Sequence, residues 1–279
     1  MTKKSQSELA RQFLAFHDGR KMLVLPNAWD VASARIFEEA GFPAIATSSA
    51  GIANALGYPD GQKISRGEML EVVQRIAGAV RIPVTADMEA GYGDRPEDAA
   101  QTAQGVLAAG AVGMNLEDAI HDRPDALVDL NLQTEKIRAV TETCARAGIS
   151  FVLNARTDIF LAGIGPAETR LARSIKRLNA YRDAGAQCLF APGVKDKETI
   201  ARLVSGVRGP LNILAVAGTP RVAELEKLGV ARVTVGSGPM RATMALTARI
   251  ARQIRDEGLF SLMTDGAMSY ADANRLFKP

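Results

Sequence analysis

Short apolar runs recur along the chain at intervals of about 20 to 40 residues: MLVLP (22–26), AIATS (44–48), PVTAD (83–87), VGMNLE (112–117), FVLNA (151–155), CLFAP (188–192), NILAV (212–216) and RVTVG (232–236). They show little polar alternation, as parallel strands buried on both faces do. Between them lie segments with helical periodicity, among them VASARIFEEAG (31–41), SRGEMLEVVQRIAGAV (65–80), RPEDAAQTAQGVLAAG (95–110) and GPMRATMALTARIARQIRDEG (238–258). Ser65 with Glu68 three residues on forms a capping box. Pro96 followed by acids opens the next helix, and Gly110 closes it. The joints AGFPAI, AGAVGM, AGISFV, AGAQCL and LGVARV repeat one helix-to-strand transition, with Gly at the left-handed cap. Eight strand–helix units in about 260 residues predict an α/β fold of the TIM-type (β/α)8 barrel class. The rival is a doubly wound open sheet, but no GxGxxG follows the first strand.

The predicted organisation is one domain over 1–279. It comprises an amphipathic N-terminal helix carrying Leu9, Phe13, Leu14 and Phe16, a barrel over about 22–257, and a C-terminal helical extension, 258–279. The extension holds a turn and a last helix with Met268, Tyr270, Ala273 and Leu276. A closed barrel does not need it, so it is expected to pack on a neighbouring subunit or across the outer ring.

Composition narrows the partners. A net charge of +3 with 23% charged residues leaves neither sign dominant. No basic stripe with interleaved aromatics points to nucleic acid. No apolar run approaches the roughly 20 residues of a membrane helix, and the N-terminus has no signal-peptide core. Cys144 and Cys188 lie far apart in helix-like and strand-like contexts, which suits a reducing, cytoplasmic compartment.

In a barrel the chemistry gathers where the strands end. Asp87 and Glu89 follow the third apolar run, and Glu117 ends the fourth. Three anions converging there repel one another unless a cation or protons intervene, so a divalent-metal site is the first expectation. Oxygen ligands with no nearby His or Cys favour Mg2+, with Mn2+ as the alternative, over Zn2+. Arg156, after the fifth run, adds a fixed cationic fork. Ser48, Ser49, Ala50 and Gly51, after the second, are small enough for backbone N–H groups to approach an anion. This set suits a small anionic keto or hydroxy acid. Plainer readings stand beside it: Glu89 as a loop cap, Asp87 bonded to Thr85 or the GYG turn, Arg156 and Asp158 as an ordinary ion pair, Asp118 as a cap. Trp29 reads as packing, GSGP (236–239) as a Gly-rich turn into a helix, His17 as a residue of the first helix, and His121 as a loop histidine.

SSAG…GYPDG (48–61), VTADMEAGYGD (84–94), GMNLEDA (113–119) and NARTD (154–158) together resemble the isocitrate lyase / phosphoenolpyruvate mutase superfamily, in order from about residue 22 to about 240. The resemblance implies an α/β barrel, with the eighth helix often exchanged between partners in dimers that pair into tetramers. It also implies Mg2+ held directly or through water by Asp87, Glu89 and Glu117, with Asp60 near the metal shell. Ser48, Ser49 and Ala50 would then bind the carboxylate and keto groups of the substrate, and Arg156 its anionic end. Residues 118–131 match the family's gating loop.

That loop departs from the isocitrate and methylisocitrate lyases, which carry a Lys-Lys/Arg-Cys-Gly-His run there. This chain has His121, Asp122, Arg123 and Asp125, with no Cys or Lys. The mutase-type Lys and Asn are also unmatched. The sequence therefore supports a Mg2+-dependent lyase acting on an oxaloacetate- or methylisocitrate-like acid through an enolate, with Asp60, His121 and Arg156 as catalytic candidates and His121 as the loop proton donor. C–P bond chemistry, or keto-acid binding without turnover, is the alternative.

Overall fold

A computed structural model describes residues 4–18 and 21–277. Its single sheet has nine parallel strands: β1 (Leu23–Leu25), β2 (Asn27–Ala28), β3 (Ile45–Thr47), β4 (Val84–Asp87), β5 (Gly113–Glu117), β6 (Val152–Arg156), β7 (Cys188–Phe190), β8 (Leu211–Leu214) and β9 (Arg232–Thr234). The order is β1-β9-β8-β7-β6-β5-β4-β3-β2. Eight apolar runs become nine strands because the first is cut at Pro26, which has no N–H to give a ladder. β1 pairs β9 and β2 pairs β3, so the ring closes through that proline, whose carbonyl still accepts from Ala46 at 2.9 Å. The architecture is the TIM-type α/β barrel.

The helix starts follow their sequence signals. Ser65 caps Arg66–Ala79 with Glu68 closing the box, and Pro96 opens Pro96–Ala108. Gly110 sits at φ +87, where a side chain would be strained. Two helices lie outside the predicted pattern. Ser49–Ala55 follows β3 directly, because Ser48 caps it by accepting from Gly51 N at 3.1 Å. Lys197–Gly206, capped by Asp196, completes the unit after β7.

The N-terminal helix, Gln6–Ala15, seals the floor of the barrel. Leu9, Ala10 and Phe13 pack on Leu23, Leu25, Ala46, Val112, Val152 and Cys188. Gln6 fastens the helix by donating to the carbonyls of Leu107 (2.8 Å) and Ala111 (3.0 Å). Gly113 has to be glycine, since a Cβ there would lie 2.6 Å from the Val152 carbonyl oxygen and 3.0 Å from the Phe13 ring. At the other terminus, Gly238–Glu257 buries only Met240 and leaves Met244, Leu246 and Ile254 exposed. The extension forms two short helices, Ser261–Thr264 and Tyr270–Arg275, tied back to the barrel's outer ring by Arg275 to Glu39 at 2.5 Å. Among the described residues no helix is long and apolar enough to cross a membrane.

Candidate active site

β3 to β6 aim their last residues at one mouth. Asp87 ends β4 and is fixed on both oxygens: Oδ2 accepts from Ser49 N (3.1 Å) and Ser49 Oγ (2.9 Å), and Oδ1 from Asn115 Nδ2 (3.1 Å). Asn115 in turn accepts from Asn154 Nδ2 at 2.8 Å, so a polar chain links three neighbouring strands. Glu89 reaches the mouth only because its backbone is left-handed (φ +51), an expensive conformation for a residue with a Cβ. Lys136 holds that turn from beneath, donating to the carbonyls of Ala90 (2.6 Å) and Gly93 (3.0 Å). Glu89 Oε2 accepts from Gln62 N at 2.6 Å, and its Oε1 from the Tyr92 hydroxyl at 3.3 Å.

Glu117 ends β5, and its Oε2 lies 2.6 Å from Arg156 Nη1. Arg156 also grips Asp158 through Nε (2.5 Å) and Nη2 (2.8 Å). The expected Arg156–Asp158 pair exists, but it belongs to a larger network. His121 comes from the loop after β5 and rests against Gly61, where an added Cβ would meet Nδ1 at 3.4 Å. Its Nε2 stands 3.5 Å from Glu117 Oε1 and 3.7 Å from Glu89 Oε2, with no hydrogen-bond partner. The structure corrects the expectation of oxygen ligands with no nearby His, and the plainer reading of His121 as a loop histidine, while placing His121 in the cavity where a catalytic candidate has to lie. Glu89, Glu117 and His121 each present one donor atom within 4.8 Å of the others.

The mouth is electrostatically overloaded. Burial, then Asp87 and Asp60, pushes Glu89 up to about 7. Glu117 is raised well above the usual carboxylate range by burial; Arg156 pulls it back, and Asp158, Asp87 and Glu89 push it further up. Asp60, at the rim, is raised by burial and by Asp87. Burial works against the charge of Arg156, but Glu117 and Asp158 more than offset it and its pKa rises. His121 is lowered mainly by burial. One guanidinium faces Asp60, Asp87, Glu89, Glu117 and Asp158, so the site favours either extra protons or an added cation. Crowded carboxylates with an orphaned imidazole nitrogen fit a divalent metal ion.

The cavity has a volume of about 280 Å³ and is lined by Ser49, Asp60, Glu89, Glu117, His121 and Arg156, among others. Ser49 faces it, but its N–H, expected for substrate, goes to Asp87. Ser48 caps its helix, and half-buried Ala50 follows within that helix. The GSGP turn is held by Asn27, whose Oδ1 accepts from Val235 N and Gly236 N at 2.9 Å each. Trp29 packs against the core, as expected.

The loop over the site is clamped at its base. Asp118 accepts from Asp158 N (2.8 Å), Arg177 Nε (2.8 Å) and the Tyr181 hydroxyl (2.6 Å), while Arg177 Nη2 donates to Val128 O at 2.6 Å. An antiparallel bridge joins Ala119 to Leu127, so residues 119–127 form a flap. Sequence reasoning missed Gln62, Tyr92, Lys136, Arg177 and Tyr181. Lys136 alone carried a faint signal, a lysine between Glu135 and Ile137 on a helix face that otherwise reads as buried.

A family model for phosphoenolpyruvate phosphomutase matches residues 13–255. An uncharacterized protein of Mycobacterium tuberculosis is 35% identical over 87% of this chain and 90% of its own length. The 2-methylisocitrate lyase of Bacillus subtilis is 28% identical over 91% and 84%. Among solved structures, a candidate lyase/mutase from Burkholderia cenocepacia superposes with TM-score 0.92 at 36% identity, covering 98% of this chain and 97% of that one. Oxaloacetate acetylhydrolase in complex with oxalate gives 0.87 at 28%, covering 98% and 94%. Phosphonopyruvate hydrolase in complex with oxalate and Mg2+ gives 0.84 at 26%, covering 98% and 95%.

Proposed function

This chain belongs to the phosphoenolpyruvate phosphomutase family, and on that premise we propose that it is a divalent-metal-dependent lyase. It would cleave the C–C bond next to the carbonyl or hydroxyl of a small keto or hydroxy di- or tricarboxylic acid, oxaloacetate- or methylisocitrate-like. The observation that carries the reading is the cavity of about 280 Å³ at the strand ends, in which carboxylates outnumber the single guanidinium. A dianionic acid enters such a site only with a compensating cation.

Asp87, Glu89 and Glu117 are the proposed holders of Mg2+, with Mn2+ as the alternative. The bound ion supplies the positive charge that polarises the substrate carbonyl and stabilises the electron pair left by bond cleavage. With Glu117 holding that ion, Arg156 would offer its guanidinium to a substrate carboxylate, while Asp158 keeps the guanidinium oriented. Ser49 presents its hydroxyl beside Asp87, and Ser48 and Ala50 shape that wall. Asp60 stands at the rim to exchange a proton with substrate. His121 arrives with the flap, so its contribution requires the flap to be down and water excluded.

The exposed apolar side chains of Gly238–Glu257 and of residues 259–277 support a homo-oligomer in which a second copy covers this face. Among the lining residues Arg156 is the one guanidinium, which favours a dianionic keto acid of the oxaloacetate type over phosphonopyruvate, whose carboxylate and phosphonate together carry about one more negative charge.

The test is turnover of oxaloacetate, 2-methylisocitrate, 2,3-dimethylmalate and phosphonopyruvate, with and without EDTA. Cleavage of a carbon-only acid, lost with EDTA and restored by Mg2+, is expected. Phosphate release from phosphonopyruvate alone, or EDTA-resistant turnover, overturns the reading.

A further inference from the structure

We infer that His121 is a flap-borne ligand of the metal, giving the site a mixed nitrogen–oxygen donor set that favours borderline cations such as Co2+ over Mg2+ and fastens the flap when the cation binds. This rests on the metal reading above and goes beyond its all-oxygen ligand set.

Geometry is the first argument. His121 Nε2 lies 3.5 Å from Glu117 Oε1 and 3.7 Å from Glu89 Oε2. These separations exceed hydrogen-bonding distance. They lie slightly beyond the roughly 3.0–3.4 Å at which ligands about 2.1 Å from a common centre stand apart, so a small inward movement of three side chains whose donor atoms already lie within 4.8 Å of one another would bring them onto one ion. The second argument is that two of the three donor atoms are unengaged, Glu89 Oε2 alone accepting a hydrogen bond, from Gln62 N at 2.6 Å. Glu117 gives Arg156 its other oxygen, Oε2, and Nε2 of His121 is buried without a partner. The third is the flap. Its base is held by Asp118, Arg177 and Val128, and His121 is the imidazole it inserts into the cavity. A ligand on the flap makes metal affinity and flap closure one equilibrium, by linkage.

The inference gives His121 a different task from the proton transfer expected from its loop position. A nitrogen donor also changes the metal preference, because imidazole suits Co2+, Zn2+ and Fe2+ while Mg2+ keeps to oxygen.

Calorimetric titration of metal-free protein with Co2+ and with Mg2+ tests this, on wild type, His121→Ala and Glu117→Gln. Loss of His121 should weaken Co2+ at least roughly tenfold and Mg2+ by less than about threefold. Pulsed EPR of the wild-type protein loaded with Mn2+ should show coupling to an imidazole nitrogen, a readout that needs no variant. Hydrogen exchange over residues 119–127 should slow on adding Co2+ in wild type and stay unchanged in His121→Ala. Equal weakening of both metals, or Mn2+ held without nitrogen coupling, overturns the inference while leaving the metal site standing. Absence of any metal binding that Glu117→Gln abolishes sinks the underlying function as well.

Discussion

At the C-terminal mouth of the barrel Asp60, Asp87, Glu89, Glu117 and Asp158 crowd around Arg156. At the N-terminal floor the guanidinium of Arg232 lies fully buried, 6.0 Å from the Phe13 ring, with no hydrogen-bond partner. Nearby His17 is buried with Nδ1 on the Phe13 carbonyl oxygen and Nε2 unpartnered. Both ends bury charge at a cost, but only the mouth arranges it around a cavity where a ligand can relieve the cost. The floor's charge is enclosed by the apolar plug of the first helix. One end of the scaffold is built for chemistry and the other for closure.

The sharpest contrast comes from removing the plug. Phe13→Ala should destabilise the protein by about 4 kcal/mol, through the lost ring and the cavity left behind. Urea unfolding reads this, with metal affinity of the folded protein unchanged. A loss below about 1 kcal/mol would mean that the floor does not depend on that ring.

Glu117→Gln should do the reverse. Metal-dependent turnover falls by about 10²–10³-fold, while the melting temperature stays level or rises because one crowded anion is gone. A variant that keeps full activity removes Glu117 from the mechanism.

The two ends should also titrate in opposite directions. In the metal-free protein Glu89 is raised from 4.5 to about 7. The folded state then binds the extra proton, so this stabilisation is complete below pH 4.5 and is lost as pH rises toward 7. His17 is lowered from 6.5 to about 4 by burial and Arg232. Its unfolded state binds the extra proton, so stability is kept above pH 6.5 and lost as pH falls toward 4. Each limb is worth up to about 3 kcal/mol. Unfolding free energies across pH 4–8 for wild type, Glu89→Gln and His17→Asn should show one limb flattened in each variant. Adding metal should erase only the mouth's limb.

The smallest effect is expected at the floor's cation. Arg232→Met keeps the unbranched apolar stem of the side chain and removes an unpaired charge, so stability should hold or rise by about 1–2 kcal/mol. A marked loss would reveal a partner for that guanidinium.

Several of these residues could be read in advance and others could not. Asp87, Glu89, Glu117 and Arg156 stood out because each follows an apolar run by zero to two residues, and a barrel collects its strand ends. Ser49 was located, but not its N–H bond to Asp87, since the two are 38 residues apart. Lys136, Arg177 and Tyr181 were invisible for the same reason: each serves a backbone or side chain 43 to 63 residues away. The split of the first strand could have been foreseen from Pro26, whose missing N–H is a local property.

The sequence by itself determined the strand–helix alternation, the glycine and capping residues that end and begin the helices, and the acids at the strand ends. Each of these depends on bonding and burial within a few residues. Only the tertiary structure decided that His121 turns its free nitrogen onto Glu89 and Glu117, that Asp118 anchors the flap, and that Arg232 is shut in beneath Phe13. Those outcomes require the ring to close first, because its closure brings together side chains that the chain keeps far apart.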